Sequence, residues 1–298
     1  MSIILYNQCP LCNSNNIQSV FYAKDYTVSP EDFEIVQCKD CTLRFTQNVP
    51  DQQSIGKYYK SENYISHTNT SKGFINKMYQ AVRRRTMKQK VKIVQQQTGL
   101  ITGNLLDIGS GTGTFLNAMK NAGWQITGLE PDEDARKNAE ELYGIIAQPS
   151  EKLFSLHEQA YDAVTMWHVL EHVHELHQYI DQLKKILKPK GRIIIAVPNY
   201  TSKDAADYQQ FWAAYDVPRH LYHFSPKAMD KLMSLHQLKV TQHLPMWFDS
   251  FYVDMLSSKY KNGHTNYVSA FVHGMSSNLH AMNNIKECCS VIYVIEQV

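Results

Sequence analysis

The sequence lacks the features that mark several broad classes of protein. Its 298 residues contain no apolar run of about 18 residues or more, which argues against a membrane-spanning helix. The first residues have no basic segment followed by a long apolar one, so we expect no secretory signal peptide. The net charge is only +2, too small to indicate binding to nucleic acid or to an anionic membrane. These absences predict a cytoplasmic globular protein.

Cysteine is also scarce, with six in the chain, and four of these form two Cys-x-x-Cys pairs: Cys9 with Cys12, and Cys38 with Cys41. In a reducing compartment cysteines are free thiols or metal ligands and do not form disulfides. Two such pairs supply the four thiolates of a tetrahedral zinc site. A redox motif is the alternative, but it normally occurs once, beside a βαβ unit. We therefore predict a structural zinc site in a small zinc-ribbon-like domain over residues 1–50.

The composition changes twice more along the chain. Residues 51–99 are polar and Tyr-rich and then basic, and apolar residues at helical spacing from Phe74 to Val94 indicate one or two helices. This part is predicted to be a helical lid and linker. Over residues 100–298 predicted strands and helices alternate, which favours an α/β domain with a parallel sheet. The polar and aromatic stretch 199–224 is typical of a binding loop or lid.

The expected elements of the third part follow from these patterns. Strands are predicted at 104–109, 125–130, 144–148, 161–167, 192–198, 237–243 and 290–298. Helices are predicted at 114–122, 132–143, 150–157 and 175–188, with another beginning near residue 226. Residues 188–192, KPKGR, are expected to form a turn.

The stretch LLDIGSGTGTF, residues 105–115, places a glycine loop between a predicted strand and a predicted helix. Gly109, Gly111 and Gly113 follow a G-x-G-x-G spacing, and Thr114 stands where a dinucleotide fingerprint has its third glycine. A strand that ends in such a loop and opens a helix is typical of a nucleotide-like ligand.

Two acidic residues narrow the choice of ligand. Glu130 ends the next predicted strand, where a carboxylate can accept hydrogen bonds from both ribose hydroxyls. Asp107 stands just before the glycine loop and suits a cationic ligand better than a pyrophosphate, which favours a helix N-terminus. S-adenosylmethionine carries a sulfonium and an ammonium group and has no phosphate, so it meets both conditions.

Four segments extend this pattern: NLLDIGSGTGTFL, ITGLEPD, YDAVTMWHVLEHV and LKPKGRIIIAVPN. Together they resemble the successive motifs of class I S-adenosylmethionine-dependent methyltransferases, in the subgroup with H-x-L-E-H after the fourth strand. The resemblance covers roughly residues 100–225 and implies a Rossmann-like, seven-stranded sheet whose last strand is antiparallel. SVIYVIEQV at the end of the sequence would be that strand. The cysteine-rich start and YYKSENYISH also look like bacterial members of this subgroup.

The resemblance also implies a set of cofactor-binding residues. In chain order they are Asp107, Gly109, Ser110, Gly111, Gly113, Glu130, Pro131, Ser150, Trp167 and His168. Asp107 and the backbone of Gly109, Ser110 and Gly111 would meet the methionine part of S-adenosylmethionine, and Glu130 would hold the ribose. Pro131 would flank the adenine, Ser150 would reach its edge, and the last two would lie beneath the sulfonium. The family often has Asp where this sequence has Ser150, which leaves the adenine edge loosely assigned.

The WHVLEHV segment offers candidate catalytic groups. His168 and His172 are four residues apart, so they would share one face of a helix, with Glu171 between them. They could pack and orient the chain under the cofactor, or one of them could act as a general base, since histidine titrates near neutral pH. A metal site is the least favoured, because the zincin motif has its Glu beside the first His.

Residues 211–224, FWAAYDVPRHLYHF, form a second dense group. In the family this region faces the methyl acceptor. Arg219 could grip an acceptor anion bidentately, and His220 or His223 could take a proton. The alternative is an aromatic plug that packs on the sheet.

The YYKSENYISH segment is a third candidate. Tyr59, Tyr64 and His67 could close over the cofactor as a lid. Solvated residues at the entry of a helix are the alternative.

These observations predict an enzyme that transfers a methyl group from S-adenosylmethionine to the O, N or C atom of a small molecule, with S-adenosylhomocysteine as product. An RNA methyltransferase is the alternative, in which the zinc knuckle and the basic run 83–92 hold RNA, although such runs are more often solvated helix faces. A non-catalytic protein that binds the cofactor also stays open, since fold does not imply function.

Overall fold

The computed structural model describes residues 2–59 and 74–298. Its strands are β1 (Ile3–Ile4), β2 (Ile17–Lys24), β3 (Asp32–Cys38), β4 (Arg44–Thr46), β5 (Val49–Pro50), β6 (Asn104–Ile108), β7 (Gln125–Leu129), β8 (Tyr161–Trp167), β9 (Leu187–Pro198), β10 (Tyr222–His223), β11 (Leu238–Pro245) and β12 (Ser290–Gln297). Its α-helices are α1 (Phe74–Thr98), α2 (Thr114–Asn121), α3 (Glu133–Tyr143), α4 (Leu176–Ile186), α5 (Lys203–Tyr208), α6 (Pro226–Leu235), α7 (Asp249–Asn262) and α8 (Tyr267–Asn283).

The larger sheet confirms the α/β, Rossmann-like prediction, with one strand fewer than expected. Its order is β11-β12-β9-β8-β6-β7. Strands β9, β8, β6 and β7 run parallel, and β12 lies antiparallel between β9 and β11. Instead of the strand predicted at 144–148, the chain makes one isolated parallel bridge, between Leu129 and Gln148. Gly144 is left-handed and caps α3, so the chain reaches the sheet edge only at the end of that segment.

The apolar run of β9 explains why this sheet carries helices on both faces. Ile193, Ile195 and Val197 are buried with apolar residues of α4 and α6, whereas Ile194 and Ala196 are buried with residues of α1 and α2. Successive side chains of a strand point to opposite faces, so a continuous apolar run requires cover on both sides.

The KPKGR turn is an irregularity within β9 instead of a separate connection. Tyr161 pairs with Leu187, and two residues later Ala163 pairs with Arg192. The intervening residues of β9 therefore bulge from the ladder. The helix predicted from Phe74 is a single helix, α1, that continues to Thr98.

The cysteine-rich segment, defined here as residues 2–50, builds a second sheet of order β10-β4-β3-β2. Its edge strand β10 belongs to the stretch 199–224, here called the aromatic loop. Tyr222 pairs with Phe45 and His223 pairs with Arg44. The loop also contains α5 and short 3-10 turns. It is therefore folded against the cysteine-rich segment rather than being an irregular lid.

A buried ion network strengthens the same junction. The guanidinium of Arg219, only 1% exposed, donates to Asp25 Oδ1 at 3.0 Å and to both carboxylate oxygens of Asp216, at 2.7 and 3.0 Å. A fourth hydrogen bond, of 3.0 Å, reaches the carbonyl oxygen of Tyr58. Since charges are buried only when they are paired, this network joins the aromatic loop, β2–β3 and the chain before Lys60.

Helices α7 and α8 form an insertion between β11 and β12 that the sequence patterns did not predict. It packs on α5, where Asp204 and Asp254 are both buried. Neither oxygen of the Asp254 carboxyl has a hydrogen-bond partner in the described part of the chain. Burial, reinforced by Asp204 and Asp207 and opposed by Lys203, raises the pKa of Asp254 to about 8.

Among the residues that the structure describes, no helix combines the length and apolarity needed to cross a bilayer.

Replacing Asp254 with Asn is expected to reduce a pH-dependent loss of stability. The folded pKa of about 8 lies above the unfolded value of about 3.9, so the native state keeps a proton that the unfolded chain releases. The free energy of unfolding therefore falls as the pH rises from about 4 to about 8 and stays low above that range. At pH of about 8, D254N should gain about 1–3 kcal/mol, measured by urea unfolding across this range.

The matched control is Asp134→Asn, which neutralises an exposed carboxyl of α3. Its stability profile should follow that of the wild type. A D254N profile that keeps the wild-type slope would show that Asp254 is not the group responsible.

Candidate functional site

The glycine loop connects β6 to α2 through three left-handed residues. Gly109, Gly111 and Gly113 have φ angles of 72°, 52° and 73°, which side chains other than glycine adopt only with strain. A Cβ on Gly109 would lie 2.4 Å from Val169 Cγ2, whereas nothing lies within 4 Å of a Cβ on Gly111. The loop is thus packed tightly at its start and open at its centre.

Two buried carboxylates flank this loop at the ends of adjacent parallel strands. Asp107 accepts a hydrogen bond of 2.6 Å from Thr165 Oγ1, and burial raises its pKa to about 7. Glu130 accepts hydrogen bonds from the backbone N–H of Gly111, at 2.7 Å, and of Asp132, at 3.0 Å. Burial also raises the pKa of Glu130. The predicted acids therefore lie on both sides of the glycine loop.

The other predicted cofactor contacts lie around the same loop. The N–H groups of Gly109 and Ser110 donate to the Leu129 carbonyl at 2.7 and 3.0 Å. The carbonyl oxygen of Pro131 accepts from Arg136. Ser150 begins a 3-10 turn that follows the bridge to β7.

Lys90 is a site residue that the sequence analysis assigned only to a basic run. Its Nζ lies 4.2 Å from the ring centroid of Trp167, at the end of β8. Burial lowers the pKa of Lys90 to about 8, against the opposing effect of Asp107 and Asp249. Lys90 precedes the buried Ile93 and Val94 by three and four residues, which places it on the inward face of α1. That spacing was a signal available in the sequence.

His168 is held between two carboxylates. The backbone of His168 has a left-handed conformation, with a φ of 58°. Its Nε2 lies 2.8 Å from Asp249 Oδ2, and its Nδ1 lies 3.5 Å from Glu171 Oε1. Burial opposes protonation, but the two carboxylates prevail and raise the pKa of His168 to about 10, so the ring is an imidazolium at neutral pH. Asp249 opens α7 and belongs to no motif that could have identified it.

Glu171, His172 and His220 form what we call the carboxylate–imidazole cluster. One ligand atom from each lies within 4.8 Å of the others. The ring centroids of the two histidines are 4.6 Å apart in an edge-to-face arrangement. The Tyr59 hydroxyl lies 3.0 Å from His172 Nδ1. The structure thus joins part of H-x-L-E-H to the aromatic loop and to one of the predicted lid residues.

Backbone carbonyls orient both imidazoles of the cluster. His172 Nδ1 lies 3.0 Å from the carbonyl oxygen of Arg219, and His220 Nδ1 lies 2.8 Å from that of Ala214. A carbonyl oxygen only accepts, so each of these two hydrogen bonds requires the tautomer that carries the proton on Nδ1. Burial and the neighbouring His220 lower the pKa of His172 to about 4, so that ring is neutral at physiological pH.

Two predicted catalytic residues have different surroundings from those expected. All the Arg219 contacts described above are to protein groups, and its burial gives no opening for the expected grip on an acceptor anion. His223 is also buried, with its Nε2 3.0 Å from Thr46 Oγ1 of the cysteine-rich segment. Both side chains hold the aromatic loop on that segment. Tyr64 and His67 lie outside the described residues.

The four predicted metal-binding cysteines converge. The Sγ atoms of Cys9 and Cys41 are 3.5 Å apart, and those of Cys12 and Cys38 are 3.6 Å apart. All four lie within 4.8 Å of one another. A tetrahedral zinc with Zn–S bonds of about 2.3 Å needs a similar spacing of its thiolates, so the cluster fits such an ion.

Comparison with curated proteins gives relatives for part of the chain. It is 34% identical over 122 residues to the ubiquinone biosynthesis O-methyltransferase of Actinobacillus pleuropneumoniae serotype 5b (strain L20), which covers 37% of this chain and 52% of that protein. It is 31% identical over 118 residues to the protein of the same name from Yersinia enterocolitica, covering 37% and 49%. The chain therefore spans about half the length of the curated relatives it matches.

Solved structures show the likeness in fold. Magnesium protoporphyrin IX methyltransferase from Synechocystis PCC 6803 aligns with a TM-score of 0.53 and 14% identity, over 83% of this chain and all of that one. The 1,6-didemethyltoxoflavin-N1-methyltransferase of Burkholderia thailandensis aligns with a TM-score of 0.52 and 12% identity, over 93% and 100%. Both contain bound S-adenosylhomocysteine.

A family described as "Methyltransferase domain" matches residues 79–243. This range includes the glycine loop, both flanking acids and the carboxylate–imidazole cluster. Because it covers more than half of the sequence, the chain belongs to that family of methyltransferase domains.

Proposed function

We propose that this protein transfers a methyl group from S-adenosylmethionine to a hydroxyl oxygen of a small molecule and releases S-adenosylhomocysteine. The observation that carries the proposal is the 2.7 Å hydrogen bond between Gly111 N–H and Glu130 Oε2. It puts the carboxylate that we assign to the ribose directly beside the open centre of the glycine loop. Asp107 lies beneath the same loop, where it can face the cationic part of S-adenosylmethionine. The names of the relatives support an oxygen as the acceptor atom.

Methyl transfer from a sulfonium is an in-line displacement, and the cofactor supplies the electrophile. The protein has to align the acceptor, exclude water and let a proton leave the acceptor hydroxyl. His168 does not suit proton removal, because both of its ring nitrogens face carboxylates. We assign it to orienting the chain at the end of β8. The carboxylate–imidazole cluster, only three residues further on, is the place where the acceptor hydroxyl would lie.

Gly111→Leu is expected to weaken the binding of S-adenosylmethionine by at least tenfold, about 1.4 kcal/mol. The new side chain would occupy the open space at the centre of the glycine loop. Gly144→Leu is the matched control, because Gly144 is also left-handed, with φ of 61°, and has nothing within 4 Å of an added Cβ. Both variants place a side chain on a left-handed backbone, but Gly144 is the C-cap of α3 and is not part of the loop. Calorimetric titration with the cofactor measures the difference, and equal losses in the two variants would contradict the assignment.

Methyl-labelled S-adenosylmethionine identifies the acceptor class. The purified protein is incubated with the labelled cofactor and an extract of its own organism, and small molecules, RNA, protein and polysaccharide are then separated. We expect label in the small-molecule fraction, in a product that resists mild base as a methyl ether does. Label in RNA would instead show that the basic run on α1 and the cysteine cluster hold nucleic acid. Absence of label from every fraction, with cofactor binding intact, would refute the enzymatic proposal.

We also propose that Cys9, Cys12, Cys38 and Cys41 bind a structural zinc ion. Four protein thiolates close the coordination shell, so such an ion has no open position for catalysis. The turns that present them are preset by the left-handed residues Asn13 and Thr42, which follow the second cysteine of each pair. Zinc would brace the turns next to β4, the strand that carries the aromatic loop.

Removal of this zinc is expected to loosen the aromatic loop. Cys12→Ser should reduce the zinc content, measured by elemental analysis, to well below one ion per chain and should lower the thermal unfolding midpoint. Cys288→Ala is the control, because Cys288 is a buried thiol outside the cluster, and it should keep its zinc. Full zinc content in Cys12→Ser would exclude a four-cysteine site.

A further inference from the structure

The carboxylate of Glu171 is in an unusual environment for a charged group. The residue is completely buried, and neither carboxylate oxygen makes a hydrogen bond to any residue in the described ranges 2–59 and 74–298. The closest charged partner is His168, whose Nδ1 lies 3.5 Å from Oε1. A buried carboxylate normally has hydrogen bonds, an ion pair of good geometry or a metal ion. Glu171 therefore lacks a partner on at least one oxygen.

The two imidazoles beside Glu171 have the orientation that binding of a cation requires. Each donates its Nδ1 proton to a backbone carbonyl, of Arg219 for His172 and of Ala214 for His220. In a neutral imidazole this leaves the Nε2 lone pair available. Histidines that bind metals show the same arrangement, in which one ring nitrogen donates to a carbonyl or carboxylate and the other is the ligand. The cluster thus brings two oriented imidazoles close to a carboxylate that has no hydrogen bonds.

We propose that Glu171, His172 and His220 bind one divalent transition-metal ion. Two imidazoles and one carboxylate are a ligand set that such ions accept while keeping open coordination positions. The ligand atoms lie within 4.8 Å of one another, close to the span of about 4 Å set by bonds of about 2.0–2.2 Å.

This site differs from the metal site that the spacing of His168 and His172 suggested. His168 and His172 were expected to share one helix face, but the ring nitrogens of His168 lie against Asp249 and Glu171 instead. The third ligand comes from the aromatic loop, and it reaches the cluster because β10 and the Arg219 network hold that loop in place. A sequence motif does not contain this information.

The role of the ion rests on the proposed methyl transfer. An acceptor hydroxyl in an open coordination position of the ion would have a lowered pKa, so it would lose its proton more readily. The acceptor oxygen then forms its bond to the methyl carbon as the sulfur–carbon bond of the sulfonium breaks. The products are the methyl ether and neutral S-adenosylhomocysteine, and no oxidant or reductant takes part.

Manganese is the probe for this site, because Mn²⁺ suits oxygen ligands such as the Glu171 carboxylate and does not favour a four-thiolate site. The zinc-loaded, full-length protein is titrated with Mn²⁺ in the absence of S-adenosylmethionine, and free Mn²⁺ is counted by electron paramagnetic resonance. We expect one bound ion per chain. Glu171→Gln, which keeps the shape of the side chain, and His220→Ala should each weaken binding by at least tenfold.

His236→Ala is the matched control. His236 lies in another contact of histidines with a carboxylate, 2.8 Å from His177 and 2.6 Å from Asp181, so it reports on adventitious binding to imidazole pairs. This variant should bind Mn²⁺ as the wild type does. The proposal is overturned if the wild-type protein binds no Mn²⁺, or if Glu171→Gln and His220→Ala bind it with unchanged affinity.

These measurements separate the two proposals. Binding of Mn²⁺ is read without cofactor or acceptor, whereas binding of S-adenosylmethionine is measured by calorimetry. If the protein transfers methyl groups and does not bind Mn²⁺, the proposed function stands and the metal site is refuted. If the protein binds Mn²⁺ through Glu171 and transfers no methyl group, the metal site stands and the proposed function is refuted.

Discussion

The buried guanidinium of Arg219 is the interaction on which the candidate acceptor site depends. Its hydrogen bonds to Asp25, Asp216 and the carbonyl of Tyr58 connect three parts of the chain that are far apart in sequence. Leaving one member of a buried pair without its partner typically costs about 3–5 kcal/mol. The aromatic loop is therefore held in one position, because moving it would leave buried charges without their partners.

That position determines what lies beside the H-x-L-E-H segment. The residue after Arg219 is His220, and the Arg219 carbonyl itself orients His172. The same network holds the backbone of Tyr58, so the neighbouring Tyr59 hydroxyl reaches His172 Nδ1. The cysteine-rich segment thus contributes to the candidate site through its packing, because it fixes the loop that carries His220.

Charge is arranged in alternation along the ends of the parallel strands. Asp107 and Glu130 lie at the glycine loop, Lys90 lies over Trp167, and His168 is paired with Asp249. S-adenosylmethionine carries both signs of charge, so the proposed binding of this cofactor requires a site in which carboxylates and buried cations balance. The insertion of α7 and α8 takes part in this balance, since Asp249 is its first residue.

Local patterns in the sequence determined the parallel sheet, the glycine loop and the cysteine knuckles, because each depends on residues close together in the chain. The alternation of apolar strands and amphipathic helices is such a pattern, and so are the left-handed glycines and the two Cys-x-x-Cys turns. Only the tertiary structure decided that Asp249 pairs with His168, and that Arg219 is buried in an ion network instead of facing an acceptor. It also decided that His220 joins Glu171 and His172. These contacts link distant segments, and their energies come from burial and charge pairing that exist only once the chain has folded.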